Sequence, residues 1–283
     1  MRPVADLAGI RGRHPHHFDR FDRRRLTTSL AVFAAAVLLV WGMAELGFFG
    51  GRFLAGGERL VEIAGLMLPP DPGSWAHARV FAMALLETIA IAFLGTLAAA
   101  VLALPVALLA ARNVTASRIV RFLSRRSLDT IRSVDILVWA LIWVNVVGLG
   151  PFAGALAIMT ADIGSFGKLF SEAMEAADKK PVEGIVAAGG SHALAIRFGI
   201  LPGVFPVLAS QVLYYFESNT RSASIIGIVG AGGIGLHLAE AIRTLELQQT
   251  SFIIVLILVA VALIDFVSGQ LRFAVIGRRG AAA

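Results

Sequence analysis

Stretches free of charge alternate along this chain with short segments crowded with arginine. The uncharged windows are 26–44, 88–111, 136–161, 198–216, 222–239 and 247–264, each between 18 and 26 residues long. About 20 apolar residues cross the hydrocarbon of a bilayer as an α-helix, so these windows predict transmembrane helices. Two of them need closer reading. Within 136–161 the run Gly148-Leu149-Gly150-Pro151 breaks a helix, because proline removes a backbone donor and clashes with the preceding turn. The spacing therefore predicts one span over 129–148 and another over 151–170. The 222–239 window carries Gly227, Gly230, Gly232, Gly233 and Gly235, a density that suits a broken or re-entrant segment rather than a regular span. The expected fold is all-α, a polytopic membrane bundle of about six helices.

Lysine and arginine orient the bundle. Seven arginines precede the first window (Arg2, Arg11, Arg13, Arg20, Arg23, Arg24 and Arg25), and six occupy 112–132. Lys179, Lys180 and Arg197 lie in 178–202, and Arg272, Arg278 and Arg279 in the tail. Six spans bring these four segments to one side, and by the positive-inside rule both termini face the cytoplasm. The opposite connections hold only Arg52, Arg59, Arg79 and Arg243. A cleaved signal peptide does not fit, because the 19-residue stretch after Arg25 exceeds the usual apolar core of about 7–15 residues. The chain thus parses into a basic cytoplasmic arm (1–26), a first span with its periplasmic connection (27–79), a core (80–276) and a short tail (277–283).

Composition sharpens this picture. Hydrophobic residues make up 57% of the 283 and charged residues 16%, with mean hydropathy +0.79. Soluble domains carry roughly 25% charge, so a soluble protein, a disordered chain and a collagen are excluded. A pI near 10.6 would suggest nucleic acid in a soluble chain; here the basic residues flank the spans. Cysteine is absent, which removes disulfides and thiolate metal sites. His14, His16 and His17 have no carboxylate-rich constellation with them and read as incidental tail histidines. The arm reads either as a strip along anionic headgroups or as a solvated tail.

Gly230-Ala231-Gly232-Gly233-Ile234-Gly235 has the spacing of the dinucleotide fingerprint. That motif works only between a strand and a helix, with an acidic residue about 20 positions on, and neither condition is met. The glycines instead permit close packing or an unwound turn at a substrate path. No phosphate-binding loop, zinc-protease signature or nucleophile elbow occurs.

The segment 178–202 reads as a structured loop. Pro181 suits a first helical turn, Gly189-Gly190 ends that helix, Ser191 can cap the next, and Pro202 marks the start of the fifth span. Here the residues resemble the permeases of binding-protein-dependent ABC importers, whose cytoplasmic E-A-A-x3-G-x9-I-x-L-P loop couples them to an ATPase. Glu183, Gly189 and Leu201-Pro202 match; Gly184, Ile185 and Gly199 depart from the two alanines and the isoleucine. The run from Phe216 to Gly235, with 171–178, is similar to the phosphonate-importer branch, and the likeness covers about 80–275. It implies a type I ABC importer permease architecture in a bacterial inner membrane. ATPase coupling would fall to Glu183, Gly184, Gly189, Gly190, Leu201 and Pro202. The implied partners are a second permease chain (identical or paralogous), two cytoplasmic ATPase subunits, a periplasmic phosphonate-binding protein and the lipid bilayer, with no nucleic acid. No cofactor is implied on this chain; ATP and Mg would sit on the partner ATPase, so the permease is not an enzyme.

Glu217 and Arg221, at i and i+4, face each other near the end of the fifth span. They read either as a structural ion pair or as a pair whose arginine meets a passing oxyanion in bidentate fashion. Asn219 lies about 200° around the helix from Glu217, on a packing face. The candidate translocation path is Glu217, Asn219, Arg221, Gly230, Gly232 and Gly233. Asp162, Lys168 and Asp265 carry the same dual reading, with helix-end anchoring for Lys168 and Asp265. The function implied is uptake of phosphonate or a related phosphate- or phosphite-type oxyanion. An ion-coupled secondary transporter of a small anion is the alternative, and unpaired carboxylates lining the spans would favour it. A membrane-embedded enzyme would need a nucleophile–base pair or a metal cluster.

Overall fold

A computed structural model describes residues 23–48 and 51–280. Most of the basic arm, with His14, His16 and His17, lies outside these residues. Among the described residues every regular element is helical, and the chain divides into two compact units at Gly65. The first unit holds α1 (Arg23–Glu45) and α2 (Gly51–Leu66). The stretch Leu26–Glu45 is strongly apolar and no residue in its apolar window is fully buried, as suits a helix solvated by lipid. Glu58, Arg59 and Glu62 interrupt the apolar residues of α2, which at 16 residues is about 24 Å long and too short to span.

The second unit is a bundle built on α3 (Trp75–Ala110) and α6 (Pro151–Glu175). Ser74 starts α3, its hydroxyl accepting from the His77 N–H at 3.2 Å. Buried Ala92, Thr96, Ala99, Ala103, Ala107 and Ala110 recur every three or four residues and form a stripe of small side chains on α3. Small seams let backbones approach, which drives helix association in lipid, where burial of apolar surface does not. A Cβ added at Gly95 would fall 2.8 Å from that of Ile158. Gly95 with Ile158 and Arg112 with Glu175 share one offset, so α3 and α6 run parallel in constant register.

Two parallel helices need a return element, and the return is not the single span expected over 129–148. It consists of α4 (Arg118–Arg132) and α5 (Ile136–Val147), bent by 87°. Ser133 closes α4, and the Asp135 carboxylate caps α5 by accepting the Leu137 N–H at 2.8 Å. Two helix termini with their own caps cannot continue as one rod. The break at 148–150 is where the glycines predict it, with Gly148 and Gly150 at positive φ and Pro151 opening α6.

Beyond α6 come α7 (Lys180–Ala187), α8 (His192–Val229), α9 (Ile234–Arg243) and α10 (Leu247–Gly280). By length and apolarity four described helices can cross a membrane, and five if the bent pair counts as one. Helix α6 is long enough, but Asp162, Lys168, Glu172 and Glu175 dilute it, so the six-span count is approximate. The core follows α3 downward: Phe81, Ile234 and Ile253 at one end, Ile91, Ile158 and Ile226 midway, and Phe166, Phe170 and Met174 near the elbow of α7.

Candidate functional site

The elbow is formed as its residue types dictate. Pro181 lies in the first turn of α7, and Asp178 Oδ1 accepts the Lys180 N–H at 3.1 Å. At the other end the Gly190 N–H donates to the Ile185 carbonyl at 2.9 Å and the Gly189 N–H to that of Val186 at 3.0 Å. These paired bonds make a Schellman motif, which needs a left-handed residue at Gly189, and φ there is +83°. Gly190 is fixed for a different reason. A Cβ on it would lie 2.5 Å from Ile185 Cγ2. Gly184 has open space around it, so an alanine fits there. Gly199 departs from the family isoleucine because α7 packs against it: its Cβ would stand 3.2 Å from the Val182 nitrogen.

Pro202 does not start a span. Helix α8 begins ten residues earlier at His192 and widens into a π-helix over Ala195–Ile200 before Leu201 and Pro202. The wider turn precedes a ring that lacks an N–H and crowds the carbonyl behind it. The elbow is tied to the bundle by His192 Nε2, 2.8 Å from the Val114 carbonyl, and beside it Asn113 Nδ2 donates to Met174 O at 2.6 Å, joining the chain after α3 to the end of α6.

Glu175 anchors that end. Its carboxylate accepts the Arg112 backbone N–H at 2.7 Å, pairs with Arg112 Nε at 3.4 Å, and also receives the Arg125 guanidinium. Glu175 lies beyond the apolar stretch of α6. Burial alone would raise its pKa, but the Arg112 N–H and the two guanidinium groups outweigh burial and hold it below the usual carboxylate range. No sequence pattern announced this residue; only the parallel register of α3 and α6 brings it to Arg112.

The glycine-rich break is a helix end followed by a helix start. Helix α8 closes in a 3-10 turn at Gly227–Val229, and Gly230, Gly232 and Gly233 all have positive φ before α9 begins at Ile234. The cap of α9 comes from α3. Glu87 Oε1 accepts the Gly233 N–H at 3.1 Å and Thr88 Oγ1 that of Ile234 at 2.8 Å. The Gly150 N–H donates to Gly230 O at 2.9 Å, locking the 148–150 break onto this one. A side chain on Gly233 would collide with the Thr88 hydroxyl. Glu87 and Thr88 escaped the sequence reading because a capping partner 146 residues away leaves no local signal.

The remaining candidates separate by face. Asn219 is buried, its amide donating to Thr96 Oγ1 at 2.8 Å and to Asp162, so it joins α3, α6 and α8. Glu217, on the opposite face, meets Arg272 of α10 at 3.2 Å and Arg221 at 3.7 Å. The Arg272 side chain is 26% exposed and that of Arg221 60%, so Arg272 is the closer and more enclosed partner. Asp265 lies 3.8 Å from Arg272. Lys168 meets Asp129 of α4 at 3.4 Å, which anchors α6 to a neighbour rather than to a helix end.

Residues 103–278 match the family described as binding-protein-dependent transport system inner membrane component. The phosphite transport system permease protein PtxC of Stutzerimonas stutzeri is 35% identical over 249 residues, 88% of this chain and 89% of PtxC. PhnE2 of Escherichia coli K12, named for phosphonate transport, is 52% identical over 117 residues, 41% of this chain and 96% of PhnE2. The inward-facing MetNI methionine ABC transporter superposes with a TM-score of 0.61 at 20% identity, covering 71% of this chain and 99% of that one. The last likeness concerns the fold.

Proposed function

Because the chain belongs to the family of binding-protein-dependent transport system inner membrane components, we propose that it forms the membrane path for phosphonate or a related phosphite- or phosphate-type oxyanion in an ABC importer. It is a multi-pass membrane permease and not an enzyme. In this reading ATP and Mg2+ are handled by two cytoplasmic ATPase subunits, a periplasmic binding protein delivers the anion, and a second permease chain completes the path. Both termini and the elbow face the cytoplasm, where the basic segments gather. The substrate assignment rests on the phosphite and phosphonate transport named for the relatives.

The observation that carries the coupling role is the elbow itself. A short helix closed by a Schellman turn projects Glu183 at the end of the bundle, and the segment that follows is held to the bundle by His192 at the Val114 carbonyl. A push on α7 passes through its Gly199 contact into α8, which runs unbroken to the glycine-rich break. The elbow therefore links ATPase closure to rearrangement where α8 and α9 meet. A secondary transporter fits less well: Asp162 accepts from Asn219, Glu217 meets two arginines, and Asp265 lies beside Arg272.

Purification of the native complex tests this. A co-purifying ATPase, and uptake of labelled phosphite or phosphonate that requires ATP, are expected. Uptake driven by an ion gradient with no ATPase bound would sink the proposal.

A further inference from the structure

A cleft of about 450 Å³ opens between α4 and α6 at the elbow end. Arg118, Arg121, Arg125, Arg126 and Lys168 line it around Phe122, against only Asp129 and Glu172 among the acids. The cleft thus holds a surplus of three positive charges. Part of that charge is already engaged. Arg125 is held by Glu175 and by the Ala110 carbonyl, and Arg126 and Lys168 share Asp129 at 3.7 and 3.4 Å. Arg118 and Arg121 form no ion pair among the described residues. They stand three and four residues from their neighbours Arg121 and Arg125 on one helix, a spacing at which like charges repel.

The other side of α4 is apolar and open: Ile119 is 73% exposed and Leu123 58%. An amphipathic helix with a basic face and exposed aliphatic residues, next to the ends of two bundle helices, lies naturally along a bilayer surface. Arginine forks bind phosphate oxygens in bidentate fashion, and a cleft of this size falls within the range of small-molecule sites rather than of a bare counter-ion.

We propose that the α4–α6 cleft is a binding site for a phosphate group, held by Arg118 and Arg121, that is separate from the translocation path. The phosphate is carried by the headgroup of an anionic phospholipid or is free in the cytoplasm. Bound, it offsets the repulsion along α4 and clamps that helix to α6 beside Glu175. The charge and shape of the cleft stand apart from the transport reading; only its placement in the cytoplasmic leaflet rests on it.

The test uses the full chain in phosphatidylcholine nanodiscs. One arm adds a minor fraction of phosphatidylglycerol, the other millimolar inorganic phosphate against chloride of equal ionic strength. Thermal unfolding and native mass spectrometry of retained lipid are read for wild type, for Arg118→Gln with Arg121→Gln, and for Arg79→Gln with Arg243→Gln as the control. Stabilisation of wild type and control in either arm is expected, with affinity at least about tenfold weaker in the cleft variant, the worth of one charge-assisted hydrogen bond. The responding arm identifies the carrier of the phosphate. Should the double variant fold poorly, Arg121→Lys keeps the charge, loses the fork, and must still weaken binding. No stabilisation in either arm, or equal stabilisation of the cleft variant, overturns the site and leaves the transport reading untouched, because no readout depends on uptake.

Discussion

Gly189 and Gly184 sit five residues apart on the elbow and answer to different physics. At Gly189 the backbone is left-handed, a conformation that costs an ordinary residue roughly 1–2 kcal/mol. Gly189→Asp should therefore express and insert, while substrate-stimulated ATPase activity of the complex collapses; retained stimulation would remove the coupling role. Gly184→Ala meets no neighbour and should leave activity intact, with a gain of up to about 1 kcal/mol in helix stability. The charged trio around Glu217 divides in the same way. Glu217→Gln removes the nearer carboxylate of half-buried Arg272, leaving it Asp265 at 3.8 Å, and should lower the unfolding temperature, at a cost of about 1–3 kcal/mol. Arg221, the more exposed and looser partner, should tolerate Gln without that loss. If it meets the oxyanion in transit, Arg221→Gln should slow uptake by about tenfold or more at matched expression. Equal losses from both variants would mark the pair as structural only.

At the scale of elements, the ends of α3 and α6 and the middle of α4 are tied together at Glu175. Its folded pKa is depressed, so the stabilisation is complete above the unfolded value, near 4.3, and is lost as pH falls through the folded one. In detergent, the unfolding temperature of the wild-type chain should drop as pH is lowered through and below the ordinary carboxylate range. Glu175→Gln should start lower at neutral pH and follow a flatter acid profile; parallel profiles would show that Glu175 carries none of the dependence. Element starts and stops were legible wherever a local signal sets them, as with Pro151, Pro181 and the Gly189-Gly190 turn. The bend between α4 and α5 was not. Its caps, Ser133 and Asp135, sit inside what hydropathy reads as the margin of one span. The π-helix before Pro202 was equally invisible, because proline at a span's start and proline inside a continuous helix look alike in sequence.

For the whole molecule, the orientation is open to labelling in a chain that lacks cysteine. Ser191→Cys on the elbow should react with an impermeant maleimide only from the cytoplasmic side, and Ser74→Cys at the start of α3 only from the periplasmic side; both positions are exposed. Reaction of both from one face would overturn the arrangement of spans. What the sequence by itself determined is what one-dimensional spacing encodes. Long uncharged windows require helices in lipid, and glycine and proline at fixed offsets shape the elbow and mark the breaks. What only the tertiary structure decided is which distant residues meet. The parallel register of α3 and α6 delivers Glu175 to Arg112, Asn219 of α8 bridges Thr96 and Asp162, and the packing of α9 on α3 brings Glu87 and Thr88 to the glycine-rich break. Those partners are set by close contact between small residues on separate helices, and contacts across 57 to 146 residues of chain leave no periodic trace in the sequence.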